Sequence, residues 1–156
     1  MERDALHRAA AKGDIDAIKQ YVANGGIIDG DDDHVCALAA TNGDISLLVY
    51  LTQQGWPLSY WVHDRAAAFG QIPVMDWAKA QGVPFSEARI ASSAVSCSQP
   101  EEKTIGTLHY LKDAGCPFDQ WGAVVALECG LALVYKWYEE NMPTVLTAPE
   151  VVSRLK

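Results

Sequence analysis

The sequence lacks every short motif that would announce catalytic or cofactor chemistry. It has no C-x-x-C, no H-E-x-x-H, no G-x-x-x-x-G-K, no G-x-S-x-G, and no G-x-G-x-x-G following a strand pattern. Zinc, phosphate-loop, dinucleotide and nucleophile-elbow chemistry each need one of these spacings, so none is indicated and no cofactor is implied. Bases are scarce: twelve Lys and Arg stand against twenty Asp and Glu, a net charge of −8. Such a surface repels phosphate backbones and anionic lipid, so nucleic acid is not an expected partner, and a basic or apolar protein surface is. Long apolar runs are also missing; Ala123–Leu127 is cut off by Glu128. No segment approaches the ~18 apolar residues of a membrane span. Met1 is followed at once by Glu2, Arg3 and Asp4, with no apolar core of a signal peptide, so neither a leader nor membrane insertion is expected. Cysteine is sparse, at Cys36, Cys97, Cys116 and Cys129. Without a ligand spacing the four read as small buried hydrophobes in a reducing compartment, which places the chain inside the cell, in the cytoplasm.

What the sequence has is repetition. The 156 residues suffice for one domain with its own core. Ala5–Gly25 reads as a helix of small residues, a glycine turn at Gly13, a second helix, and a closing glycine. Asp4 and Asp14 are suited to cap the two helices, and Ile15, Ile18, Tyr21 and Val22 share one face of the second. Gly43-Asp44-Ile45 repeats Gly13-Asp14-Ile15 thirty residues on, and the pair Gly70 and Gly82 keeps the twelve-residue spacing of Gly13 and Gly25. Ala9-Ala10 returns as Ala39-Ala40 and Ala66-Ala67. The pairs Trp56-Pro57, Val83-Pro84, Cys116-Pro117 and Met142-Pro143 close later units. A period near 30 built from helix–turn–helix units predicts an all-α stacked solenoid. About five helix pairs are expected, over roughly 4–30, 31–59, 60–86, 87–119 and 120–143, with a single terminal helix at 149–156. Pro149 and Glu150 suit the first turn of that helix. Cys97 replaces the fourth turn glycine, and the surplus Ser98–Lys103 in that unit is expected to be a polar loop.

Asp4–Gly25 resembles the ankyrin repeat, T-P-L-H-x-A-A-x-x-G-x-x-x-h-h-x-x-L-L-x-x-G. Leu6-His7, Ala9-Ala10, Gly13 and Gly25 match directly, and Leu38-Ala39-Ala40, Gly43 and Gly55 carry the pattern into the second unit. The later units resemble shortened ankyrin-like repeats that end in Gly-x-Pro, as in Gly82-Val83-Pro84-Phe85 and Gly115-Cys116-Pro117-Phe118. The resemblance implies a protein-binding scaffold, and it implies that His7 bonds neighbouring backbone to hold adjacent units together. The links after Pro57, Pro84 and Pro117 are too short for the family's β-hairpin fingers, and only Gly26–His34 approaches one.

Three constellations bear on function. Asp29, Asp31, Asp32 and Asp33 form the densest charge cluster. Asp29, Asp31 and Asp33 fit the first, third and fifth positions of a calcium loop, but His34 stands where its glycine belongs and Ala40 where its closing glutamate belongs. The cluster reads instead as a solvated loop or an acidic contact point. His63-Asp64 resembles a dyad, but neighbours on a helix do not face each other. Of the tryptophans, Trp77 and Trp137 fall on second helices and are expected in the core, whereas Trp61 and Trp121 align at the starts of first helices. The expected function is therefore a non-enzymatic protein-interaction module. Its contacts are expected from Arg8, Lys12, Asp29, Asp31, Asp32, Asp33, Thr41, Asn42, Tyr60, Trp61, Arg65, Phe69 and Trp121. The alternative is a structural or adaptor subunit held permanently in a larger assembly.

Overall fold

In a computed structural model the chain is helical. The structure describes residues 3–87, 89–96 and 99–155. Eleven α-helices and one 3-10 segment, with no strand, make up the described residues. The readings of Cys97 as a turn residue and of Ser98 as the start of a loop lie outside them.

The helices divide into two compact units, 1–66 with 71–84, and 67–70 with 85–156. The first contains α1 (Arg3–Lys12), α2 (Ile15–Ala23), α3 (His34–Ala40), α4 (Ile45–Gln54) and α6 (Ile72–Ala80), together with most of α5 (Trp61–Ala68). In it α1 packs on α2, and α3 on α4. Gly13, Gly43 and Gly55 all take positive φ, the left-handed conformation that reverses the chain without a Cβ clash. Asp14 and Asp44 then cap the second helices, accepting from Ala17 N and Leu47 N at 3.0 Å each. Asp4 lies inside the first turn of α1 rather than before it; it serves the helix through charge, not as the cap expected of it.

Small residues do the work expected of them. Ala9, Ala10, Ala39 and Ala40 are buried, and α1 packs directly on α3. Side-chain amides tie one turn to the next. Asn42 Nδ2 donates to Ala11 O at 2.6 Å, and Gln71 Nε2 donates to Thr41 O at 2.9 Å. Each satisfies a carbonyl that the end of a helix leaves without an intrahelical donor.

The second unit contains α7 (Arg89–Ala94), α8 (Glu101–Asp113), α9 (Trp121–Glu128), α10 (Ala132–Asn141), the 3-10 segment Pro143–Thr147 and α11 (Pro149–Val152). Here α7 packs on α9, and α8 on α10. Its core holds Ile90, Leu108, Leu111, Val134, Trp137 and Tyr138. Two expectations are corrected. Of the surplus expected as a polar loop, Glu101–Lys103 form the first turn of α8, because Pro100 fixes φ at −56° and starts a helix of thirteen residues. The terminal helix stops at Val152, well short of the expected 149–156.

The cysteines also depart from expectation. Cys36 is a free thiol, and Cys36 and Cys116 are both buried, as small hydrophobes would be. Cys129 is disulfide-bonded, so it is not the free thiol the reducing-compartment reading requires. No described helix is long and apolar enough to cross a membrane.

Candidate functional site

The residues picked out by sequence separate into those the fold consumes and those it presents. Asp32 belongs to the first kind. It is 2% exposed, and its Oδ2 accepts from His7 Nε2 at 2.8 Å and Arg3 Nε at 3.1 Å, while Oδ1 accepts from His34 N at 3.3 Å. Burial alone would raise the Asp32 pKa. The hydrogen bonds and charges of His7 and Arg3 outweigh it, and the group is held below its ordinary value. Asp32 is thus a latch between α1 and the 24–33 link, not the partner contact expected of it. His7 bonds this carboxylate, not the neighbouring backbone expected of it. The nearby charge also acts on Cys36: burial and the negative charges of Asp32 and Asp33 push its thiol up to about 12.

Thr41 and Asn42 are likewise committed. Thr41 Oγ1 donates to Leu38 O at 2.7 Å and its carbonyl accepts from Gln71; Asn42 is spent on Ala11. Asp33 is half-buried beside His34 Nδ1 at 3.3 Å. Asp29 and Asp31 are exposed, and Asp29 Oδ1 accepts from Asp31 N at 3.0 Å. The link that carries them forms turns and no strand, so the one candidate finger is blunt.

Of the aromatics expected at a contact surface, Tyr60 and Trp61 lie together, against His34. The His34 and Trp61 rings stack at 6.4 Å, Trp61 and Tyr60 at 5.1 Å, and His7 lies 6.4 Å from His34. Tyr60 is 38% exposed, Trp61 and Phe69 are half-buried, and Arg8, Lys12 and Arg65 are exposed. Trp121, in the second unit, is 47% exposed at the start of α9. Trp137 is buried as expected, donating from Nε1 to His109 Nε2 at 3.0 Å, and Trp77 is half-buried. His63 is fully buried with Nε2 at 3.0 Å from Val83 O. Its pKa is lowered by burial, against the opposing pull of that carbonyl.

Among the described residues no group of three or more His, Cys, Asp or Glu side chains is placed to hold a metal ion. Set against protein-family models, curated proteins and solved structures, the chain matches none.

Sequence reasoning passed over one feature of the first unit. A cleft of about 300 Å³ lies among Leu6, Tyr21, Ile27 and Trp56, with Arg3, Asp29 and Asp32 on its rim. A second, of about 360 Å³, adjoins it along Gln20, Tyr21 and Asn24–Ile27. The one available signal was Ile27, an apolar residue in an otherwise polar link; it is 80% exposed.

Proposed function

We propose that this chain is a protein-interaction module built from divergent ankyrin-like helix pairs, and that it works by binding rather than by catalysis. The observation that carries the reading is the exposure of large aromatic side chains at the starts of first helices, at Tyr60 and Trp121. Exposed rings cost a free protein solubility, and buried in an interface they supply an outsized share of binding energy. The repeat pattern supports the reading in a second way. Glycine turns, alanine faces and amide ties fix the turns within the first unit, so a partner docking there orders few further residues.

Affinity capture with the whole chain as bait tests this. A partner retained by the wild type is expected to be lost, by roughly tenfold in affinity, from a Tyr60→Ala/Trp121→Ala variant whose melting temperature is unchanged. A wild type that retains nothing, or a variant that retains its partner undiminished, overturns it.

The alternative, a subunit permanently embedded in an assembly, draws on a different observation. In the second unit Leu127, Leu131, Tyr135 and Leu155 line an apolar cleft of about 380 Å³, and Leu133 and Leu155 are 48% and 58% exposed. This reading predicts self-association of the isolated chain, which sedimentation would detect; a monodisperse monomer speaks against it.

A further inference from the structure

We propose that the groove formed by the two adjoining clefts of the first unit receives an extended segment of a protein partner in which an apolar residue is flanked, two residues away on each side, by basic ones. The proposal rests on the interaction-module reading and names the partner chemistry that reading leaves open.

The two clefts adjoin at Tyr21 and Ile27, which line both. Its apolar part is Leu6, Tyr21, Ile27 and Trp56. Two contacts fix the geometry before any ligand arrives. Tyr21 Oη donates to Ile27 O at 2.8 Å, and the Tyr21 ring sits where a Cβ on Gly26 would otherwise be. Ile27 nevertheless stays 80% exposed, so this part of the groove is open to an apolar side chain. Trp56 is 2% exposed, and its indole Nε1 has no hydrogen-bond partner among the described residues. A buried donor without a partner is costly to the fold and is improved by an acceptor brought by a ligand.

The polar part is negative. Gln20, Asn24 and Gly25 bring the C-terminal end of α2 to the groove, and the last turn of α2 carries no basic residue to offset its dipole. Asp29 lies on the rim, with Asp31 bonded beside it. Among the described residues the one cation on the rim, Arg3, is committed: its Nε lies 3.1 Å from Asp32 and its guanidinium 4.0 Å from Asp29. The surplus is acidic, and the whole chain is acidic too, at −8. In an extended segment, side chains two residues apart share a face. A central leucine can therefore enter between Tyr21 and Ile27 while lysines on either side reach the α2 terminus and the Asp29–Asp31 turn.

The test uses the full chain and a capped pentapeptide, Lys-Ser-Leu-Ser-Lys, followed by the indole N–H resonances of the tryptophans. Trp56 is assigned by its loss in Trp56→Phe. The expected result is a shift at Trp56 on titration. A charge-reversed peptide, Glu-Ser-Leu-Ser-Glu, and a peptide without leucine, Lys-Ser-Ser-Ser-Lys, should each bind at least about tenfold more weakly. Ile27→Ser, at an exposed position that does not threaten folding, should weaken the first peptide by about tenfold. Asp29→Asn/Asp31→Asn should abolish most of its salt dependence. Equal binding of the three peptides, an unmoved Trp56 resonance, or unaltered affinity in Ile27→Ser overturns the proposal. A shift at Trp137 in place of Trp56 also overturns it, since the segment would then lie in the other unit. The interaction-module reading survives such results if the wild type still captures a partner through Tyr60 and Trp121.

Discussion

Single atoms settle several questions at the scale of the residue. The Asp32 carboxylate accepts from two cationic-type side chains and from one backbone amide while almost fully buried. Replacing one oxygen by an amide nitrogen removes the charge that makes these bonds strong. Asp32→Asn is expected to destabilise the chain by about 2–3 kcal/mol, read as a fall in the urea midpoint at neutral pH. An unchanged midpoint would show that the latch contributes nothing. A second case lies in the other unit. Tyr138 is fully buried, its hydroxyl has no hydrogen-bond partner among the described residues, and a Cβ on Gly122 would fall on that hydroxyl. Tyr138→Phe is therefore expected to be neutral or stabilising by about 1 kcal/mol, and Gly122→Ala destabilising by about 1–3 kcal/mol through overpacking. The double variant should recover part of the loss, because Phe removes the hydroxyl that the new methyl meets first, leaving only the ring carbon Cζ too close at 2.8 Å. Strict additivity in that cycle would mean that the two side chains do not meet.

Among the elements, α8 shows how a polar stretch can be put to structural use. The surplus residues Glu101–Lys103 extend a helix, and Glu101 then acts at a distance. Its Oε2 accepts from Leu133 N at 2.7 Å and Val134 N at 3.0 Å, where α10 has no side-chain cap of its own at Leu131. A carboxylate at a helix N-terminus satisfies orphan amides and offsets the dipole. Glu101→Ala is expected to cost about 1 kcal/mol and to speed amide exchange at Leu133 and Val134 selectively. Uniform protection across α10 in the variant would refute the capping role. Lys103, two residues on, lies over Gly70, whose φ of +63° a Cβ-bearing residue adopts only with strain. The surplus is thus used twice, once for a cap and once against a turn.

Over the whole molecule, the acid balance and the buried ionisable groups meet in the dependence of stability on pH. His63 is buried with its pKa lowered from 6.5. The unfolded chain therefore binds a proton that the fold refuses, and stability falls as pH drops below about 6.5. Asp32 has a folded pKa below 3.8. Its contribution is complete above that value and is lost as pH falls through the lower folded one. Acid destabilisation should therefore come in two stages, the first without any carboxylate. Urea midpoints measured from pH 7.5 to 5 should decline in the wild type and decline less in His63→Gln; a flat wild-type profile over that range would contradict this account. The carboxylate stage should appear only below pH 4, and it should be missing from Asp32→Asn.

The sequence by itself determined the helical class and the turn positions. Glycine at Gly13, Gly43, Gly55, Gly70 and Gly82 takes a backbone conformation that other residues resist, and all five have positive φ. The alanine pairs marked the faces where helices approach closely, because small side chains permit it whatever the rest of the chain does. These are local requirements, legible one residue at a time. Tertiary structure decided which polar residues are spent and which are offered. Nothing in the run Asp29–Asp33 distinguishes Asp32 from its neighbours; only the arrival of Arg3 and His7, from more than twenty residues earlier, buries its charge and leaves Asp29 and Asp31 outside. Likewise Ile27 and Trp56, twenty-nine residues apart in the chain, become two walls of one groove only when α2 and the end of α4 are brought together. Burial and pairing depend on distant residues, so a reading that proceeds along the chain finds the scaffold before it finds the surface.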